Sequence, residues 1–166
     1  MSHFVITNEF ETDPAGYWKL FFHEPFNVAL YERIGVKERK RLSFDETEAT
    51  IKFSVRILPK RDLPGFMKKL VGGDFGYIET STLVKAEHRM DVRIEPTLLK
   101  DRITSGGLFT VTPVGEHRIR RTFEGDIKVA IPLVGGKVEG TIVDDVKRSY
   151  EVAAQVTAEW LKRGGY

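Results

Sequence analysis

The strongest constraint on this chain is its last long segment. Residues 133–163 keep a helical pattern without interruption, with Pro132 before them and Gly164-Gly165 after them. At 100° per residue, Val138, Ile142, Val146, Tyr150, Ala153, Val156 and Trp160 fall on one arc. Lys137, Asp144, Lys147, Arg148, Glu151, Gln155 and Lys162 crowd the other side. At 1.5 Å per residue the helix is roughly 40–45 Å long. So long an apolar stripe must lie on another layer of the protein, and the preceding residues have to supply that layer.

Those residues read mainly as strands. HFVITNEFE at 3–11 is rich in β-branched and aromatic residues and forms the first. From Val36 to Ile131 the pattern is again extended. VKERKRLSF and ATIKFSVRIL flank an acidic turn, DETE. In the second, Ile51, Phe53, Val55 and Ile57 alternate with Lys52, Ser54 and Arg56. DFGYIETSTLVKA and RMDVRIEPTLL follow, with Met90, Val92 and Ile94 alternating against Asp91, Arg93 and Glu95. ITSGGLFTVTPV carries Gly106-Gly107, expected at a bulge or sharp bend, and EHRIRRTFEGDIKVAIP is expected to kink at Gly125. Alternation of this kind describes an antiparallel sheet with one buried and one wet face.

Two helical stretches interrupt the strands. Asp13-Pro14 marks a helix start, and Pro25 divides AGYWKLFFHEPFNVALYERI into two short helices that end at Gly35. DLPGFMKKLVGG reads as a short helix between Pro64 and Gly72-Gly73. The chain has no internal repeat and no low-complexity tract.

Composition excludes several classes of function. There is no cysteine, hence no disulfide framework, thiol nucleophile or cysteine-held metal. Lys and Arg number 26 against 24 Asp and Glu, so the broad cationic field of a duplex-DNA binder is missing and no nucleic-acid partner is expected. No apolar run approaches the ~20 residues of a spanning helix. Glu9, Glu11 and Asp13 break up the first twenty residues, where a leader would sit. A soluble, cytoplasmic protein is the expectation.

The order of elements (strand, two short helices, six strands, long terminal helix) resembles the helix-grip fold of the START/polyketide-cyclase-like (SRPBCC) superfamily. DLPGFMKKLVGG, GGLFTVTP and GDIKVAIPLVGGKVEGTI, with AEWL near the end, resemble an uncharacterised bacterial family within it. The resemblance spans nearly the whole chain. It implies an α+β domain over residues 1–166: a curved antiparallel sheet of about seven strands around a long C-terminal helix, with two short helices after strand 1. That superfamily includes lipid carriers, hormone receptors, cyclases and dehydratases, so fold alone does not choose a function. No catalytic residue carries over.

Two pairs of residues stand out. Glu139 falls inside the apolar arc of the long helix, and Arg121 shares a strand phase with Ile119, Phe123, Ile127 and Val129. Charges in such places require partners, either each other, local backbone groups or the polar end of a ligand. Tyr77 and Glu79 share a phase of GYIETST whose direction the sequence leaves open; facing inward, they suit hydrogen bonding or acid–base work. His3, His23, His88 and His117 show no metal-ligand spacing, and no metal or cofactor is expected. Gly72-Gly73 and Gly135-Gly136 lack phosphate-loop context and read as close packing of backbone. KERKR at 37–41, Lys60-Arg61, Lys68-Lys69 and Arg118/Arg120 read as solvated charge, with transient contact to an anionic membrane as the alternative. Phe66, Met67 and Leu70 suit core packing or a lid.

A twisted sheet does not close tightly along a whole helix. The expected function is therefore binding of a hydrophobic small molecule such as a lipid or polyketide-like metabolite, with its transfer as an extension of that role. Phe53, Val55, Met90, Val92, Ile94, Phe109 and Phe123 form the expected floor of its site. Val138, Ile142, Val146 and Tyr150 form the helix wall, and Arg121, Glu139, Tyr77 and Glu79 the polar contacts. The alternatives are a cyclase or dehydratase working through Glu79, Tyr77, Glu139 or His23, and a solid-cored module that binds another protein.

Overall fold

The computed structural model describes residues 1–60 and 64–166, apart from the side chains of Leu70 and Val71. The readings placed on Arg61, on the Asp62-Leu63 start of the short central helix, and on the Leu70 side chain lie outside the described residues. The chain runs β1 (Ser2–Phe10), α1 (Pro14–Phe21), α2 (Glu24–Ile34), β2 (Val36–Glu46), β3 (Thr50–Pro59), α3 (Gly65–Val71), β4 (Tyr77–Val84), β5 (Arg89–Pro96), β6 (Ile103–Gly115), β7 (Arg118–Val129) and α4 (Gly135–Arg163). The strands form one curved antiparallel sheet in the order β1-β7-β6-β5-β4-β3-β2. This is the helix-grip arrangement that the order of elements implies.

Local chemistry sets the boundaries. Asp13 caps α1 by accepting the Gly16 N–H at 2.7 Å, and Pro14 opens the helix. Pro25 sits in the first turn of α2, where its missing N–H costs nothing, so it starts that helix instead of merely breaking the previous one. Gly35 closes α2 in the left-handed region, at φ 90°. The turn after β2 falls later than the DETE run suggests. Asp45 and Glu46 still pair with Lys52 and Ile51, and Thr47 closes the turn by accepting the Thr50 N–H at 3.0 Å. The long helix starts two residues later than its pattern predicts, because Leu133 takes a left-handed φ of 68° and turns out to solvent.

Gly106 and Gly107 do not mark a bulge. The register of β6 with β5 and with β7 runs through them unbroken. They are small because strands and rings crowd them. A Cβ on Gly107 would overlap the Glu124 carbonyl and come within 2.8 Å of the Phe123 ring. Opposite it, Gly125 leaves room for the Phe4 ring, 2.7 Å from where a Cβ would stand. Gly135 likewise lets the start of α4 lie against the Val129 carbonyl, as close backbone packing requires.

The inward phases are those the alternation assigns. Ile51, Phe53, Val55 and Ile57 of β3, Met90 and Val92 of β5, and Ile119, Phe123 and Ile127 of β7 are all buried. Helix α4 packs closely on β1, β7 and α2, its far end held by Trp160 against Phe26 at 5.9 Å. At the other edge of the sheet β2 is mostly exposed.

The glycine geometry predicts opposite outcomes for two similar substitutions. Gly107→Ala is expected to destabilise the fold by about 2–3 kcal/mol through overpacking. Gly140→Ala, in open space on α4, is expected to stabilise it by about 0.5–1 kcal/mol. Urea unfolding of both variants checks this; equal effects would contradict it.

Candidate functional site

Between α4 and the sheet lies a cavity of about 610 Å³. Its floor is made by Phe53, Val55 and Ile57 of β3 and Met90, Val92 and Ile94 of β5, continued by Phe109 and Phe123. Ile142, Val146 and Tyr150 of α4 form the opposite wall. Residues of α2 and α3 close the ends, and the exposed Arg41 and Phe44 of edge strand β2 stand at the mouth. The volume lies within the range of small-molecule sites, roughly 300–1,000 Å³.

Tyr77 and Glu79, whose direction the sequence leaves open, point inward with Ser81 and Leu83, and both line the cavity. Arg121 lines it as well. Two residues assigned to the site from the sequence lie elsewhere. Val138 packs beneath the start of α4 with Met67, Ile103, Ile127 and Val129. Glu139 turns away from the cavity. Its carboxylate accepts the Val129 N–H at 2.8 Å and the Ser2 hydroxyl at 2.8 Å, and lies 3.3 Å from the N-terminal ammonium. The Val129 N–H, more than any other neighbour, holds its pKa below the usual carboxylate range. Glu139 therefore ties β1, β7 and α4 together and does not pair with Arg121.

Arg121 is buried at 4% exposure, and its partners are neutral. It donates to Asn8 Oδ1 at 2.6 Å and, at a long 3.4 Å, to the Tyr17 hydroxyl. Its guanidinium lies 4.9 Å from the Phe10 ring centre and 5.2 Å from that of Tyr150. Its Nε–H has no acceptor. No carboxylate among the described residues lies within ion-pair distance of it. Each ring contact is worth up to about 2 kcal/mol when desolvated. Burying an ion costs several kcal/mol, so this charge is only partly compensated.

A second polar group occupies the β2–β4 side. Arg39 pairs with Glu24 at 3.0 Å, lies over the Tyr31 ring at 4.9 Å and leaves its own Nε without an acceptor. Burial raises the Glu79 pKa, while nearby Arg39 and the Ser81 hydroxyl hold it back. That hydroxyl makes no hydrogen bond of regular geometry. Burial pushes Tyr31 up to about 12, and Tyr77 and Tyr150 well above their ordinary value. The four cavity tyrosines, Tyr17, Tyr31, Tyr77 and Tyr150, are therefore neutral donors.

Sequence reasoning passed over Arg39 and the aromatic wall from α1 and α2. Arg39 is hidden in KERKR, where only strand phase separates it from its exposed neighbours. The wall has a visible signal: Tyr17/Phe21 and Trp18/Phe22 sit at helical spacing, with Tyr17 stacked on Phe109 and Phe21 and Phe22 edge-on to Phe53. The other motifs give no site. His23 caps α2 edge-on to Trp160 at 5.8 Å. Among the described residues no three His, Asp or Glu side chains cluster as metal ligands, and no helix is long and apolar enough to cross a membrane. Met67 is buried and lines the cavity, while Lys137 lies 4.4 Å above the Phe66 ring.

A family profile described as "Protein of unknown function (DUF2505)" matches residues 6–161. No curated protein matches the chain in sequence. Among solved structures, the Zhui aromatase/cyclase from Streptomyces sp. R1128 superposes with a TM-score of 0.67 at 12% identity, over 95% of this chain and 92% of that one. Norcoclaurine synthase from Thalictrum flavum, in complex with dopamine and hydroxybenzaldehyde, gives 0.63 at 12% identity, over 99% and 88%. A START superfamily protein from Mycobacterium smegmatis gives 0.54 at 12% identity, over 92% and 97%. At these identities the likeness is one of fold.

Two predictions follow from the carboxylates. Glu139→Ala is expected to cost about 2–3 kcal/mol in urea unfolding, the penalty for leaving a buried N–H unsatisfied; an unchanged midpoint would contradict this. Glu79 is raised in the folded state, so folding favours its protonated form. That contribution is complete below the ordinary carboxylate pKa and is lost as pH rises through the folded value. The stability of the native chain should therefore fall relative to Glu79→Gln as the pH rises above the ordinary carboxylate pKa of about 4. Parallel curves over that rise would refute the assignment.

Proposed function

We propose that this chain, which belongs to the family described as "Protein of unknown function (DUF2505)", binds one hydrophobic small molecule between its sheet and its C-terminal helix. A lipid or a polyketide-like metabolite is the class intended, and carriage of it between sites is the role that the open mouth suits. The observation behind this reading is the cavity of about 610 Å³ with aromatic and aliphatic walls. A ligand burying roughly 300 Å² of apolar surface there gains about 7–8 kcal/mol before association costs. The proposed binding residues are the floor, the α4 wall at Ile142, Val146 and Tyr150, and the polar groups Arg121, Tyr77 and Glu79. A solid-cored interaction module is disfavoured by the same void.

One observation favours a second reading, proton-transfer catalysis of the cyclase or dehydratase kind. Glu79 retains its proton more readily than an ordinary carboxyl and shares the cavity with Tyr77. A carboxylic acid so placed can give a proton to a bound substrate and take one back. Conversion of a bound polyketide-like substrate that Glu79→Gln abolishes would establish it.

Ligand binding is tested by native mass spectrometry and organic extraction of protein purified from its own source, with thermal shifts over a panel of lipids and aromatic acids. A co-purified ligand or a raised melting temperature is expected. Ile94→Trp, which fills the cavity from a half-buried position, should weaken binding at least about tenfold without lowering stability. A clean apo mass with no thermal shift across the panel would overturn the proposal.

A further inference from the structure

The apolar walls would accept any greasy molecule of suitable size, but Arg121 narrows the choice. Of its five N–H donors, two are engaged, both by neutral acceptors, and Nε–H has none. The side chain is buried on β7 and lines the cavity. Two rings and two neutral oxygens solvate its charge without cancelling it. Glu139, the carboxylate that the sequence pairs with it, is held by Ser2, Val129 and the N-terminus. Glu79, on β4, has Arg39 as its nearby cation. A buried guanidinium without a counter-ion is an unusual expense for a fold to carry, and it is relieved when a ligand brings the missing charge.

We propose that the ligand is an amphiphile with one carboxylate group, which pairs with the Arg121 guanidinium while its apolar body fills the space between α4 and β3–β5. This deepens the binding reading above and rests on it. A planar carboxylate matches the fork of the guanidinium and can accept two of its N–H groups at once. The surrounding phenols, Tyr17 and Tyr150, keep their protons and do not compete as anions. The ligand class is thus a fatty acid or an aromatic-chain acid, and the corresponding alcohols, esters and amides fit the walls but forgo the ion pair.

The test uses 11-(dansylamino)undecanoic acid and its neutral primary amide, titrated into the full chain by fluorescence. The acid is expected to bind about 10- to 100-fold more tightly than the amide, the range for a charge-assisted hydrogen bond. Arg121→Met should abolish that ratio by weakening binding of the acid to the level of the amide. In the native protein, the Arg121 Nε–H resonance should move on addition of the acid and stay in place with the amide, a readout that holds even if Arg121→Met does not fold. Equal affinity of acid and amide would overturn the assignment of the anion and leave the cavity reading intact. Failure of both to bind would overturn both.

Discussion

A straight helix and a curved sheet meet along only part of their length, and the interior of this protein follows from that mismatch. Helix α4 lies close to β1 and β7 and is backed by α2. Over β3, β4 and β5 the sheet bends away, and the gap is the cavity. The tight side makes the open side tolerable. Glu139 joins three elements there through one carboxylate, and the glycines of β6 and β7 let strands and rings approach more closely than side chains would allow.

The void is polar at two places. One cation, Arg121, sits between rings and neutral acceptors near β1 and β7. Across the cavity, Arg39 has Glu24 as its partner, and Glu79 is made less acidic by burial. The two guanidiniums thus differ in what they lack: one has its carboxylate, the other does not. Neutral tyrosines between them offer hydrogen bonds without adding charge. Such a site fixes the direction of an elongated ligand more by electrostatics than by shape.

The fold was largely legible in the sequence because its two signals are long and clean. The period-2 pattern of Ile51–Ile57 and Met90–Ile94 and the helical arc from Val138 to Trp160 identify both layers, and the order of elements fixes how they connect. Site residues on those two layers were readable for the same reason: a residue's phase says which way it faces. What failed was local. Glu139 shares the apolar arc, but so close to the helix start that β1 and the end of β7 reach it first. Val138 likewise lies where helix and sheet are in contact. The phase of Tyr77 and Glu79 could not be chosen because β4 carries a mixture of apolar and polar residues on both faces; the burial of Ser81 and Leu83 decides it. Arg39 was lost in a charged run whose exposed members look the same in one dimension.

The central claim, that helix and sheet enclose an apolar hollow, is tested most directly by diffraction from crystals pressurised with xenon, which enters dry apolar cavities. The account predicts xenon density between α4 and strands β3–β5, near Val92, Ile94 and Val146. Density for the protein's own side chains filling that space, with no xenon within it, would contradict the account.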